Sequence, residues 1–140
     1  MLFRSLELQS IKLATHLHPG LLWVRGNASR LEQCLLNLVF NAMDAMPGGG
    51  DLCVVSELDP EQGHVRVEIR DAGSGIDAEN LNHIFDPFFT TKEAGQGTGL
   101  GLSIAYGVVK NHSGHIKVES EVGKGSSFFL TFPYKPWQGV

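Results

Sequence analysis

The sequence predicts an α+β fold: a two-layer sandwich with helices on one face of a mostly antiparallel, mixed sheet. Three observations lead there. Short runs alternate apolar and polar side chains with a period of two. The clearest sets Val65, Val67 and Ile69 against Arg66, Glu68 and Arg70, the pattern of a strand with one buried and one wet face. Two longer stretches, Leu31 to Ala45 and Leu102 to Val109, repeat apolar residues at helical spacing and so each bury one stripe. Short loops rich in Gly, Pro and Asp link the later strands. They suit antiparallel neighbours, with the helices gathered on one side.

Taken in order, Ser10–Thr15 alternates weakly and reads as a strand, as does Leu21–Val24, with His18–Pro19–Gly20 as the turn between them. A helix follows, capped by Asn27 or Ser29. Leu31, Cys34, Leu35, Leu38, Val39, Ala42 and Ala45 share its inner face, and Pro47–Gly48–Gly49–Gly50 ends it. Asp51–Glu57 and His64–Arg70 form antiparallel strands around the loop Asp59–Gly63. Ala78–His83 is a short helix with Asp77 near its cap. Phe85–Thr98 has no period, and a loop of that length inside a compact domain is typically a lid over a site. Gly99–Lys110 reads as a helix with Leu102, Ile104, Ala105, Val108 and Val109 facing inward. Two last strands, His115–Ser120 and Ser126–Phe132, flank the turn Glu121–Gly125.

The 140 residues suit a single domain, residues 1–140, able to bury roughly two-thirds of its unfolded surface. A net charge of −4 without a basic block excludes a nucleic-acid footprint. No apolar run approaches the ~20 residues that span a bilayer, so no direct membrane contact is expected. Cys34 and Cys53 lie in apolar runs without metal-like spacing and read as buried, reduced thiols of a cytoplasmic protein. His16, His18, His64, His83, His112 and His115 show neither metal spacing nor a nucleophile's context and read as structural or surface groups.

Four motifs occur in one order. Asn37 and Asn41, one helical turn apart in Asn37–Ala42, put two amides on one helix face. An amide oxygen is a hard neutral ligand suited to Mg2+, whose other ligands are waters and substrate phosphates; two locally bonded asparagines are the alternative. Asp71 ends a strand and enters Ala72–Gly73–Ser74–Gly75. The glycines permit close backbone approach, and a fixed carboxylate there can accept from an exocyclic amine such as that of adenine. The competing account is an ordinary Asp-x-Gly turn. Phe85, Phe88 and Phe89 around Pro87 form an aromatic cluster in the unperiodic segment. Lys92 follows Thr90–Thr91, where it reaches a terminal phosphate or is simply solvated. Gly95, Gly97, Gly99 and Gly101 alternate just before an apolar helix, so unobstructed N–H groups at its N-terminus make an anion cradle. A dinucleotide-binding Gly-x-Gly-x-x-Gly loop would need a preceding strand and an early βαβ unit, which this segment lacks.

On these residues the chain resembles the ATP-binding catalytic domain of sensor histidine kinases, within the wider group that includes gyrase B, Hsp90 and the MutL mismatch-repair proteins. Leu31–Ala42 is similar to the N box, Asp71–Ile76 to the G1 box, Ile84–Lys92 to the F box, Gly95–Leu102 to the G2 box, and Gly123–Phe128 to the last glycine turn. The resemblance spans about Ser10 to Pro133, and the Phe-Phe-Thr-Thr-Lys run is similar to the nitrogen-regulation and oxygen-sensing type. It implies a Bergerat-type fold and two cofactors, ATP and Mg2+. Asn41 would hold Mg2+ on the phosphates with Asn37 assisting, and Asp71 would bind the adenine amine. Gly73 and Gly75 would let the base approach. Gly97, Thr98, Gly99, Leu100 and Gly101 would offer N–H groups to phosphate. Ile76, Phe85, Thr91, Lys92 and Ser126 would complete the nucleotide site, with Asn37, Asn41 and Lys92 as the catalytic set and Phe85 to Gly97 as the ATP lid.

Two departures matter. ATP-hydrolysing members of the wider group carry a glutamate one turn before the metal-binding asparagine. Here Asn37 stands there, and a neutral amide is a poor general base, so phosphoryl transfer with slow hydrolysis is expected. No histidine has the phosphoacceptor context, and the chain has no room for the acceptor hairpin, so ATP binding without self-phosphorylation by an isolated, monomeric chain is expected. The partners implied are a histidine-bearing dimerisation domain and a downstream response regulator. The family often has an aspartate where this chain has Asn27, which leaves capping intact. Two other functions share the fold: a nucleotide-binding interaction module without transfer, and a serine kinase of the anti-sigma-factor type. The intact Gly-Thr-Gly-Leu-Gly segment favours the histidine kinase.

Overall fold

Strand β1 (Ile11–His16) lies parallel to β2 (Gly50–Asp59), and between them the chain crosses the sheet as helix α1 (Ala28–Asp44). Parallel neighbours require such a crossover. The remaining elements are β3 (His64–Asp71), α2 (Ala78–Leu81), α3 (Gly101–Asn111), β4 (His115–Glu121) and β5 (Gly125–Pro133). The sheet order is β1-β2-β3-β5-β4, and every pair beyond the first is antiparallel. The computed structural model describes residues 9–20, 22–89 and 100–135. Among them, no helix is long and apolar enough to cross a membrane.

Local chemistry explains the boundaries. Asn27 is the cap of α1: its Oδ1 accepts the Arg30 N–H at 3.0 Å, satisfying one donor orphaned at the helix start. The helix stops at Asp44, before Pro47, and the chain turns through Gly49 at φ +95°, a conformation that favours glycine. Asp77 caps α2 through the Asn80 N–H at 2.8 Å.

One layer of core joins helices to sheet. Cys34 and Leu38 of α1, Val109 of α3, and Leu52, Ile69, Phe128 and Leu130 of the sheet are fully buried. Each large apolar side chain contributes ~1.5–3 kcal/mol on burial. Along β5, Ser126, Phe128, Leu130 and Phe132 point to the helices, while Ser127, Phe129 and Thr131 take the open face. That open face is polar: Arg66 lies over the Phe129 ring at 4.6 Å and pairs with Glu57, and Arg70 pairs with Glu68 at 2.7 Å.

Four expectations are corrected. Residues 22–24 form no strand. They belong to the climb from β1 to α1, where Val24 packs against the core and Trp23 O accepts a hydrogen bond from Lys135 N. Ile104 is 47% exposed, because α3 packs through the stripe Leu102, Ala105, Val109, narrower than its apolar arc. Cys53 is only half-buried, lying on the open face of β2. Cys34 is buried as expected; burial pushes its thiol up to about 11, and its Sγ–H points at the Ala105 carbonyl. Phe85, Phe88 and Phe89 do not form one cluster. Phe85 packs on Tyr106 and edge-on against Phe128, Phe89 lies beside His83, and Phe88 is 72% exposed.

Candidate nucleotide site

Three residues on one face of α1 gather the separated motifs. Asn37, Asn41 and Ala45 follow at intervals of four, so they rise along the helix in steps of about 6 Å. At the first, the Asn37 Nδ2 donates to the Gly101 carbonyl at 3.2 Å, tying the start of α3 to α1. Its Oδ1 accepts from the Gln33 Nε2 at 2.8 Å. At the third, the Ala45 carbonyl accepts from the Ser74 N–H at 3.2 Å, tying the loop after Asp71 to the end of the helix. Asn41 stands between them. Its side chain is half-buried, and no other described residue engages its amide.

Asp71 is 4% exposed. Its Oδ1 accepts the Gly73 N–H at 2.9 Å, and the Ser126 backbone N–H also lies against the carboxylate. Burial raises the carboxyl above the usual aspartate range, and the two backbone bonds offset only part of that. A buried carboxylate held by N–H groups on its inner side, with no cation paired to it among the described residues, is an acceptor waiting for a donor. A cleft of about 310 Å³ at this end of the sheet takes its lining from both faces, Asp71, Ser120 and Ser126 on the helix side and Arg70, Glu119 and Ser127 on the open side.

The glycines divide into two kinds. A Cβ at Gly73 would run into the Ala45 carbonyl, and one at Gly75, which sits at φ +76°, into the Glu121 carbonyl. These two let the loop wedge between α1 and the β4–β5 turn, rather than clearing room only for a base. A Cβ at Gly101, by contrast, would meet nothing within 4 Å. The first turn of the 11-residue helix α3 therefore has no side chain at that point to shield its N–H groups, which suits an approaching anion. Leu100 is the residue before it. Ile76 is half-buried against the core and donates its N–H to the Ser120 Oγ at 2.7 Å. Thr91, Lys92, Gly97, Thr98 and Gly99 lie outside the described residues.

Among the described residues, no three His, Cys, Asp or Glu side chains come together to hold a metal ion. A metal here would rest on an amide and on oxygens brought by the ligand, as Mg2+ commonly does, and Asn41 is the amide that fits. Asn37 is engaged with Gln33 and Gly101, and through the second bond it holds the start of α3. Asn37→Asp would lose the bond to Gly101 and set a carboxylate against its carbonyl. We expect ATP hydrolysis within about tenfold of the unsubstituted rate and a stability loss of ~1 kcal/mol; phosphate release giving a large rise would show that the side chain is free to activate water.

Sequence reasoning missed Gln33, Ala45, Ser120 and His112. His112 joins the two helices: its Nε2 accepts the Asn27 N–H at 3.0 Å and its Nδ1 donates to the Val108 carbonyl at 2.7 Å. Ser120 was detectable only through the pairing of Ser120 with Ser126 across β4 and β5, which no local pattern announces.

Residues 26–136 match the family described as histidine kinase-, DNA gyrase B- and HSP90-like ATPases. Sensor kinase CckA of Brucella abortus is 44% identical, over 83% of this chain and 14% of its own length. The nucleotide-free catalytic domain of histidine kinase ThkA superposes with a TM-score of 0.83 at 32% identity, covering 96% of this chain and 87% of that one. Full-length ShkA, solved in complex with AMPPNP, superposes with a TM-score of 0.77 at 28% identity, covering 95% of this chain and 29% of that one. Among the curated relatives compared with it, the chain spans between 12% and 26% of their length. With the fold, the ordered motifs and the matched residues in agreement, the chain belongs to the histidine kinase-, DNA gyrase B- and HSP90-like ATPase family, as a histidine kinase catalytic domain.

Proposed function

We propose that this domain binds ATP together with Mg2+ and directs its γ-phosphoryl group to a histidine on a separate dimerisation domain, from which a response regulator takes it. The observation behind this reading is the row Asn37, Asn41, Ala45. It sets the start of α3, with Gly101 uncrowded, at one end, a buried acceptor carboxylate near the other, and between them the Asn41 amide, which no other described residue engages. That is the layout of a ligand with phosphates at one end and an amine-bearing base at the other.

In this reading Asp71 accepts from the exocyclic amine of adenine, and the N–H groups opening α3 receive the phosphates. Asn41 would hold Mg2+, which when bound would supply charge neutralisation at the phosphates. The acceptor imidazole nitrogen bonds to the γ-phosphorus as the bond to the bridging oxygen breaks, and ADP departs. The chain's own part is positioning and electrostatics, with Lys92 a further charge for the terminal phosphate. The narrower affinity with nitrogen-regulation and oxygen-sensing kinases rests on the Phe-Phe-Thr-Thr-Lys run alone; none of the relatives named above bears that description. A cytoplasmic location is proposed on the two free cysteines, which suit a reducing compartment.

Calorimetric titration with a non-hydrolysable ATP analogue, with and without Mg2+, tests the assignment. Asn41→Ala should bring the affinity in Mg2+ down at least about tenfold, to the level seen without the metal, one lost ligand being worth that order. An Mg2+ effect that survives the substitution would move the metal elsewhere. Supplying a histidine hairpin and, separately, a serine-bearing partner with radiolabelled ATP then separates the kinase classes: label on the hairpin alone is expected.

A further inference from the structure

Ser120, in the last turn of β4's pairing with β5, is bonded on three sides. Its Oγ accepts from the Ile76 N–H at 2.7 Å, donates to the Gly125 carbonyl at 3.0 Å, and lies 2.8 Å from the Ser126 Oγ. A serine hydroxyl has one proton and two lone pairs. The Gly125 carbonyl can only accept and the Ile76 N–H only donate, so the one arrangement that satisfies all three contacts together has Ser120 donating to Gly125 and accepting from Ser126. The Ser126 proton is thereby turned toward Ser120, and its lone pairs are left on the side of its neighbours in the site. Ser126 is 5% exposed, faces Asp71 across β3 and β5, and shares the cleft with it.

We propose that Ser120 is a specificity-determining positioning residue. It locks the Ser126 hydroxyl so that the Asp71–Ser126 edge presents acceptors only, which matches a 6-amino purine and rejects a 6-oxo purine. The inference rests on reading the Asp71 end as the base-binding end. It adds to that reading the reason a serine beside the carboxylate does not blur the choice: a free hydroxyl would rotate to donate to a 6-oxo group, and this one is held. A site built for one hydrogen-bond pattern discriminates because the wrong partner leaves buried polar groups unpaired.

The test is the ratio of ATP to ITP affinity by calorimetry in Mg2+. In Ser120→Ala the freed Ser126 hydroxyl gains a partner on ITP, and the ratio should fall about tenfold, the size of one hydrogen bond. Ser120→Thr, which keeps the hydroxyl, should hold the ratio. A merely structural Ser120 would weaken both nucleotides by the same factor, and that result overturns the proposal. If Ser120→Ala does not fold, Ser120→Cys keeps the shape and removes the strong acceptor, and the same fall is expected. Tight ATP binding by the unsubstituted chain with an unmoved ratio in the variants refutes the lock and leaves the nucleotide reading standing. Absence of ATP binding by the unsubstituted chain refutes both.

Discussion

Asp71→Asn should cut ATP affinity about 100-fold while the fold survives. The asparagine oxygen can still accept the Gly73 N–H, so the loop keeps its inner bond, but an amide NH2 would face the adenine amine, donor against donor. Losing a hydrogen bond to a charged group costs roughly 1.5–3 kcal/mol, and the unmatched donor adds to it. Stability should move the other way. Burial raises the Asp71 carboxyl, so the folded state holds its proton more tightly than the unfolded chain does. Its contribution is fully present below the ordinary aspartate value and is lost as the pH rises through the folded-state value. At neutral pH the charged carboxylate is therefore a cost to the fold, which the neutral asparagine removes. Calorimetry and thermal melts at pH 7 check both halves. Affinity unchanged within about threefold would show that Asp71 is a turn residue only. In the unsubstituted chain, ATP affinity should also decline in acid as the carboxyl protonates, and Asp71→Asn should flatten that decline.

Gly125→Ala should be the most damaging single substitution for stability. Gly125 sits at φ +113°, and an added Cβ would drive into the Asp71 carbonyl, with the Ala72 Cα at 3.0 Å. Backbone strain of ~1–3 kcal/mol adds to overpacking of similar size. We expect a fall of ~3 kcal/mol or more, about 10 °C in Tm for a domain of this size. Because Gly125 precedes Ser126 and accepts from Ser120, ATP affinity should fall with it. A Tm within about 2 °C of the unsubstituted chain would mean that the β4–β5 turn can open without consequence.

The motifs were legible because they are local. Asp71 followed by glycines, and two asparagines one turn apart, need no knowledge of the rest of the chain. What was not legible depended on partners. Period-two alternation does not state a strand's direction, so the parallel pairing of β1 with β2 emerged only from the crossover. Residues 22–24 have a strand's composition but spend it on reaching α1. Ile104 keeps helical spacing yet faces solvent, since the breadth of an apolar arc does not fix how much a neighbour covers. Gly73 and Gly75 read as room for a ligand, and the structure gives their first use to the protein's own carbonyls. The bond from Asn37 to Gly101, which has no counterpart at Asn41 among the described residues, could not be foreseen until Gly101 was in place beside the first.

The link between Asn27 and His112 gives α3 the geometry of a lever. Its 11 residues measure about 16 Å, with His112 at one extremity and the glycine-rich entrance at the other. A tilt of about 5° at the His112 end sweeps the Gly101 end through about 1.4 Å on a rod of that length, a misplacement large enough to degrade a reacting geometry. Gly26 abuts the His112 ring so closely that no β-carbon fits between them. A residue remote from every proposed ligand contact thus has leverage over where the phosphate-facing N–H groups stand.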